Sequence, residues 1–233
     1  MSPPVPSKTR LIVALDVDTL EAAARLVHGL GPAVEWYKVG KQLFTRHGPA
    51  AVRQLKDAGK QVFLDLKFHD IPNTVAQAIR AAAAIGADLT NVHAGGGPAM
   101  LRGAAQAARE SGISITAVTV LTSMDRAELA AVGLDLDPAQ QVVRLAILSR
   151  DCGLAGVVCS PLEVSLIRQA CGPDFVLVVP GIRPAGAESD DQKRIMTPRQ
   201  AAAAGTDFIV VGRPITAAQD PAAAAAAILS DLG

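Results

Sequence analysis

The chain has 233 residues, half of them hydrophobic and 19% charged, which suits one globular domain with a large core and excludes a disordered or fibrous chain. Lysine plus arginine balances aspartate plus glutamate at 22 each, so no overall positive field recruits nucleic acid or an anionic membrane, and a small ligand is the expected partner. Cys152, Cys159 and Cys171 show no C-x-x-C spacing, which argues against a disulfide framework or a zinc site and fits a reducing cytoplasm.

In chain order, the opening MSPPVPSKTR has too many prolines and too short an apolar stretch for a signal peptide. Residues 1–9 are read as a flexible extension and 10–233 as a single catalytic domain. Strands are predicted at 10–17 (RLIVALDV), 35–40 (EWYKVG), 61–68 (QVFLDLKF), 89–94 (LTNVHA), 114–123 (SITAVTVLTS), 156–160 (GVVCS), 175–181 (FVLVVPG) and 208–213 (FIVVGR). Helical stretches such as TLEAAARLVHGLG, PNTVAQAIRAAAAIG and GPAMLRGAAQAARESG lie between them, each with glycine near its end. The alanine run at 222–227 is a strong helix former in the last such stretch. No unbroken apolar run is long enough for a membrane span. Strand and helix alternating eight times predicts an α/β fold, a (β/α)8 TIM barrel, with an open doubly wound sheet as the alternative.

In a barrel the C-terminal strand ends form the active face. Alternation in the third strand puts Val62, Leu64, Leu66 and Phe68 toward the helices and Phe63, Asp65, Lys67 and His69 toward the interior. The first strand likewise ends with Asp16 inward, and the second places Lys38 inward beside Trp36. Charge therefore gathers at one mouth from three neighbouring strands. Two readings stay open on pattern alone, a structural salt-bridge network or a reactive site. Desolvating several charges is costly where apolar residues would serve, which favours chemistry.

A second constellation ends strands seven and eight, in PGIRP (180–184) and GRPIT (212–216). Glycines allow close backbone approach, and Arg183 and Arg213 offer planar donor forks to phosphate oxygens, at the usual phosphate site of such barrels. Each loop alone also reads as plain turn punctuation. The polar stretch 185–198 between these strands reads as a closing lid or a surface loop. His28 and His47 are expected at the surface, His93 at the mouth or in a local hydrogen bond, His69 in a helper or structural role, and Cys159 as a small buried hydrophobe.

The segment DLKFHDIPNT resembles the signature of the orotidine 5'-phosphate decarboxylase family. The resemblance runs almost the whole chain through VALDV, YKVG, VHAGGG, VLTSM, GVVCSPLEV, PGIRP, DDQKRIMTP and GTDFIVVGRPIT, in order. It implies conversion of orotidine 5'-monophosphate to UMP and CO2 in pyrimidine biosynthesis, without cofactor or metal. Lys67 would be the proton donor within a charged set formed with Lys38, Asp65 and Asp70. Asp16 and Lys38 would hold ribose hydroxyls, Thr122 the pyrimidine, and Arg183, Gln192, Gly212 and Arg213 the phosphate. Asp70, Ile71 and Thr74 would enter the neighbouring subunit's site, implying a cytoplasmic homodimer with shared sites and no nucleic-acid or membrane partner. Val179 departs from the hydroxyl residue of many relatives, which bears on loop detail.

Two alternatives are a related barrel decarboxylase or aldolase using magnesium on a sugar phosphate, and a non-catalytic binder of a nucleotide phosphate. The first places an acidic metal ligand on strand two, where this chain has Lys38; the second has no need of the full charged set.

Overall fold

The computed structural model describes residues 9–184 and 196–233. Eight parallel strands close into a barrel in sequence order: β1 Arg10–Ala14, β2 Trp36–Gly40, β3 Gln61–Phe68, β4 Leu89–His93, β5 Ser114–Val118, β6 Gly156–Val158, β7 Val176–Val179 and β8 Phe208–Val211. Closure is made by β1 against β8, with Arg10 opposite Phe208 and Val13 opposite Val211. The helices are α1 Leu20–Leu30, α2 Lys41–His47, α3 Ala50–Asp57, α4 Pro72–Ala84, α5 Gly97–Ser111, α6 Arg126–Ala131, α7 Pro138–Asp151, α8 Val164–Cys171, α9 Pro198–Ala204, α10 Arg213–Thr216 and α11 Pro221–Leu232. None of those described is long and apolar enough to cross a membrane.

Local chemistry marks the helix ends. Thr19 caps α1 by accepting from the Ala22 N–H, and Gly31 closes it with φ 67°. Proline occupies the first turn of α4, α5 and α7, where its missing N–H costs no intrahelical bond. The connection from β2 to β3 uses two short helices broken at Gly48, and that from β5 to β6 uses α6 and α7.

Two apolar layers result. Val13, Leu15, Val39, Val62, Leu64 and Val92 face outward and pack with the helices, as with Val52, Ile79 and Leu101. Inside the barrel, Ile12, Ala14, Phe63, Leu89, Val178, Phe208 and Val210 form a separate cluster. Trp36 meets Phe208 edge-on at 5.1 Å, and the Arg10 guanidinium lies 4.1 Å from the Phe208 ring centroid. Thr9 is buried, and its hydroxyl donates to the Thr206 carbonyl at 2.6 Å. Residues 1–8 of the predicted extension lie outside the described residues.

Seven of the predicted strands run one to five residues past the ladder, and only at the C-terminal end in β1, β4, β5, β6 and β8. Residues such as Val120 and Cys159 have strand-forming or apolar side chains, yet there the backbone leaves its neighbour to carry the mouth loops. Alternation also fails once. Lys67 has φ 56°, the one positive value at a described non-glycine residue, and the β3–β4 register shifts between Leu64 and Phe68.

Gly156 tests the tightness of the interior: a Cβ there would lie 1.9 Å from the Val176 carbonyl oxygen. Gly156→Ala is expected to lower Tm by about 5–10 °C through overpacking against backbone. Gly29, in α1 with nothing within 4 Å of a built Cβ, is the control, and Gly29→Ala is expected to stabilise by up to about 1 kcal/mol. Thermal denaturation of both variants checks the contrast.

Candidate active site

The C-terminal ends of β1, β2 and β3 converge on one carboxylate. Asp65 is 9% exposed, and its Oδ1 accepts from Lys67 Nζ at 2.5 Å and from Asn91 Nδ2 at 2.8 Å. Its Oδ2 lies 3.7 Å from Lys38 Nζ, which donates to Asp16 Oδ1 at 2.9 Å. Burial alone pushes the Asp65 pKa up. The Lys38 and Lys67 ammoniums and the hydrogen bonds from Lys67 and Asn91 outweigh it, holding the carboxyl below its usual range and ionised at neutral pH. The result is an alternating chain of charge, Asp16, Lys38, Asp65, Lys67, running across three strands.

Backbone geometry makes this chain possible. Strand register sets Gly40 opposite Asp65, and a Cβ at Gly40 would lie 2.7 Å from Lys38 Nζ and 3.1 Å from Asp16 Oδ1. The bare glycine is what leaves room for the Lys38 ammonium. Lys67 adopts a left-handed conformation that costs an ordinary residue about 1–2 kcal/mol, and its N–H donates to Asn91 Oδ1 at 2.8 Å. Beside it the His69 and His93 rings stand 5.5 Å apart, His69 exposed and His93 half-buried. Burial, then the positive fields of His69, Lys67 and Lys41, push the His93 pKa down despite Asp65, so its imidazole is neutral at pH 7.

Two adjoining cavities share Lys38, Pro180 and Val210. One is mostly apolar, lined by Phe63, Val118, Val158 and Cys159 with Thr122 at its edge, and Asp65 and Lys67 face into it. The other is polar, lined by Asp16, Gln42, Gly181, Arg183, Gly212 and Arg213. Gly181 has φ 77°, a conformation that favours glycine, and Gly212 precedes the short α10 that begins at Arg213. Arg183 is 7% exposed, and its N–H donates to the Met196 carbonyl at 3.0 Å. A charged, hydrogen-bonding end and a mostly apolar end that holds Lys67, with Lys38 between them, fit a ligand with an anionic group at one extremity and a ring at the other.

Asp16, Lys38, Asp65, Lys67, Thr122, Arg183, Gly212 and Arg213 are thus brought together. Asp70, Ile71 and Thr74 are not. All three are exposed at the start of α4, where Asp70 Oδ1 accepts from the Ile71 N–H at 2.6 Å. Gln192 and most of the predicted lid fall at 185–195, outside the described residues. Asn91, bonded to Asp65 and Lys67, Gly40, which leaves room for Lys38, and Gln42, which lines the polar cavity, join the site without having been singled out from the sequence. Alternation with Leu89 and His93 was the available signal for Asn91, whereas nothing local marks Gly40. His28 is exposed; His47 is half-buried, its Nε2 2.9 Å from the Asp18 carbonyl. Cys159 is buried as expected, but in the cavity wall.

Comparison with known proteins places the chain among relatives of one name. Residues 9–228 match the family described as "Orotidine 5'-phosphate decarboxylase / HUMPS family". A Moorella thermoacetica protein named orotidine 5'-phosphate decarboxylase is 53% identical, over 97% of this chain and 93% of its own. One of the same name from Nitrosospira multiformis is 54% identical over 91% of this chain and 89% of its own. The crystal structure of orotidine 5'-phosphate decarboxylase from Lactobacillus acidophilus superposes with a TM-score of 0.86 at 39% identity, covering 96% of this chain and 99% of that one.

Because the Asp65 pKa is depressed in the folded protein, its charge contributes stability above the unfolded value of about 3.9, and that contribution is lost as pH falls through the folded value. Asp65→Asn, which leaves two ammoniums without their shared carboxylate, is expected to lose roughly 3 kcal/mol at pH 7. Urea denaturation across pH should show the gap to the native chain closing below about pH 4. A gap that stayed constant into acid would mean that the carboxylate charge is not its source.

Proposed function

The chain belongs to the orotidine 5'-phosphate decarboxylase / HUMPS family, and we propose that within it the protein decarboxylates orotidine 5'-monophosphate to UMP as a cytoplasmic homodimer with shared sites. The observation that carries this reading is the Lys67 ammonium, held on Asp65 and facing an apolar cavity that opens toward Arg183 and Arg213. The names and near-complete coverage of the relatives support it.

Loss of CO2 from C6 of the pyrimidine leaves an electron pair in the ring plane, where the ring delocalises it little. Lys67 stabilises that developing charge and transfers an Nζ proton to C6, giving UMP and a neutral amine that solvent reprotonates. Asp16 and Lys38 hold the ribose hydroxyls, and Thr122 contacts the base. Arg183, Gly212, Arg213 and Gln192 bind the phosphate, whose binding energy orders the reacting end. Asp70, Ile71 and Thr74 come from the second copy. An apolar side chain left 68% exposed at Ile71, beside the mouth, is consistent with cover by a partner. There Asp70 would face the substrate carboxylate, and two like charges about 4 Å apart cost roughly 4 kcal/mol at an effective dielectric of about 20. Such repulsion is relieved as CO2 leaves. It supplies only part of the roughly 8–23 kcal/mol by which enzymes lower barriers.

The magnesium-dependent sugar-phosphate alternative fits less well. The Lys38 ammonium, 3.7 Å from Asp65 Oδ2, sets a cation against that carboxylate that would repel a divalent metal ion.

EDTA-treated protein is expected to convert orotidine 5'-monophosphate to UMP undiminished, followed by ultraviolet absorbance, while Lys67→Ala stays folded and loses turnover. Binding without UMP would favour a non-catalytic nucleotide binder, and activity restored only by magnesium would favour the sugar-phosphate class. Shared sites predict a further result. Lys67→Ala and Asp70→Ala, each inactive alone, should on mixing and subunit exchange recover about a quarter of native activity, because half the dimers carry one intact site. Two self-contained subunits would recover none.

A further inference from the structure

Between Leu64 and Phe68 the β3–β4 ladder shifts its register, and two β4 side chains bond to the β3 backbone there. The Thr90 hydroxyl donates to the Leu64 carbonyl at 2.9 Å, and Asn91 Oδ1 accepts from the Lys67 N–H at 2.8 Å. Asn91 is 0% exposed, and its other end donates through Nδ2 to Asp65 Oδ1 at 2.8 Å. The orientation of the amide is fixed by chemistry, since an N–H needs the oxygen and a carboxylate needs the NH2. One rigid amide therefore ties the left-handed backbone of Lys67 to the carboxylate that its own ammonium meets two residues earlier. Thr116, opposite Asn91 in β5, has a buried hydroxyl with no hydrogen-bond partner and takes no share in this link.

Resting on the decarboxylase reading for its consequence in turnover, we propose that Asn91 is a positioning residue that sets the reactive ammonium of Lys67. It does so by holding the Lys67 bulge and the Asp65 carboxylate in one frame. Asn91 is not among the residues lining either cavity of the site. Its effect should fall on the proton-transfer step, while the ribose and phosphate contacts come from other strands.

The test uses Asn91→Ala and the isosteric Asn91→Asp, which keeps an acceptor for the Lys67 N–H but sets a second carboxylate against Asp65. Both variants should lower kcat by about 10²-fold with KM changed less than about threefold. Exchange of the UMP C6 proton with D2O, which needs proton transfer at C6 but no CO2, should fall in parallel. UMP affinity, read by calorimetry, should hold within about threefold, a result that general loosening of the fold would not give. Crystal structures should show Lys67 leaving its positive φ in Asn91→Ala. A folded Asn91→Ala with kcat and exchange within about twofold of native, or with Lys67 unmoved, would overturn the proposal. An inactive native protein whose Lys67 still shifts in Asn91→Ala would defeat the decarboxylase reading and uphold the positioning role.

Discussion

A buried carboxylate between two ammoniums is the constraint around which the upper half of this barrel is arranged. Asp65 sits 2.5 Å from one and 3.7 Å from the other, separations at which each attraction is worth roughly 4–7 kcal/mol at an effective dielectric of about 20. Desolvation of the three groups opposes this with several kcal/mol per ion. The arrangement is therefore held only while geometry is good, and three features of the fold supply that geometry. Strand register puts Lys38 opposite Phe63, two residue pairs before Asp65, the glycine at 40 clears space for its ammonium, and Asn91 fixes the carboxylate from the other side.

Division of labour along the barrel axis follows. At the lower end the interior is filled by Ile12, Phe63, Leu89, Val178 and Phe208, with Trp36 packed against them and the Arg10 guanidinium over the Phe208 ring. Two residues further along β2, β3 and β4 stand Lys38, Asp65 and Asn91, with Thr116 paired to Asn91 from β5. The apolar layer fixes strand positions, and the layer above inherits them. Strands are thus a better foundation than loops for groups that must hold within fractions of an ångström. The phosphate end needs less: Gly181 and Gly212 let backbone approach, and the arginine forks tolerate more movement.

Much of this was legible in the sequence. Alternation alone separated Val62 and Leu64 from Phe63 and Asp65 and located Lys38 and Asp16, because one-sided burial imposes a strict period of two on a barrel strand. What escaped was whatever breaks that period or depends on a neighbour. Lys67 was placed on the correct face by counting, but its left-handed backbone is invisible to a pattern that assumes regular strand. Gly40 reads as the end of a strand, and its function as space for Lys38 exists only once Asp16 is folded over it. Asn91 looks like a polar interruption in LTNVHA until β3 and β4 are paired. The strand ends ran too far for a related reason: side chains suited to a strand persist where the mouth draws the backbone away.

The departures from regularity cluster on one side of the barrel. The left-handed lysine, the register break, the buried ion pairs and the unpartnered Thr116 hydroxyl all lie along β2 to β5. The left-handed lysine and the buried Thr116 hydroxyl each cost about 1 kcal/mol or more, the ion pairs hold only against the desolvation of their charges, and none of these features is what selection for packing alone would retain. Around them the structure is reinforced. The outer face of β3 and β4 buries Val62, Leu64 and Val92, and α4 and α5 pack them with Val75, Ile79, Met100 and Leu101. A well-filled outer layer is what allows the inner layer of the same strands to hold strain. Relaxing that strain, by a regular strand at Lys67 or an apolar side chain at Asn91, would yield a more ordinary barrel with its ammonium aimed elsewhere.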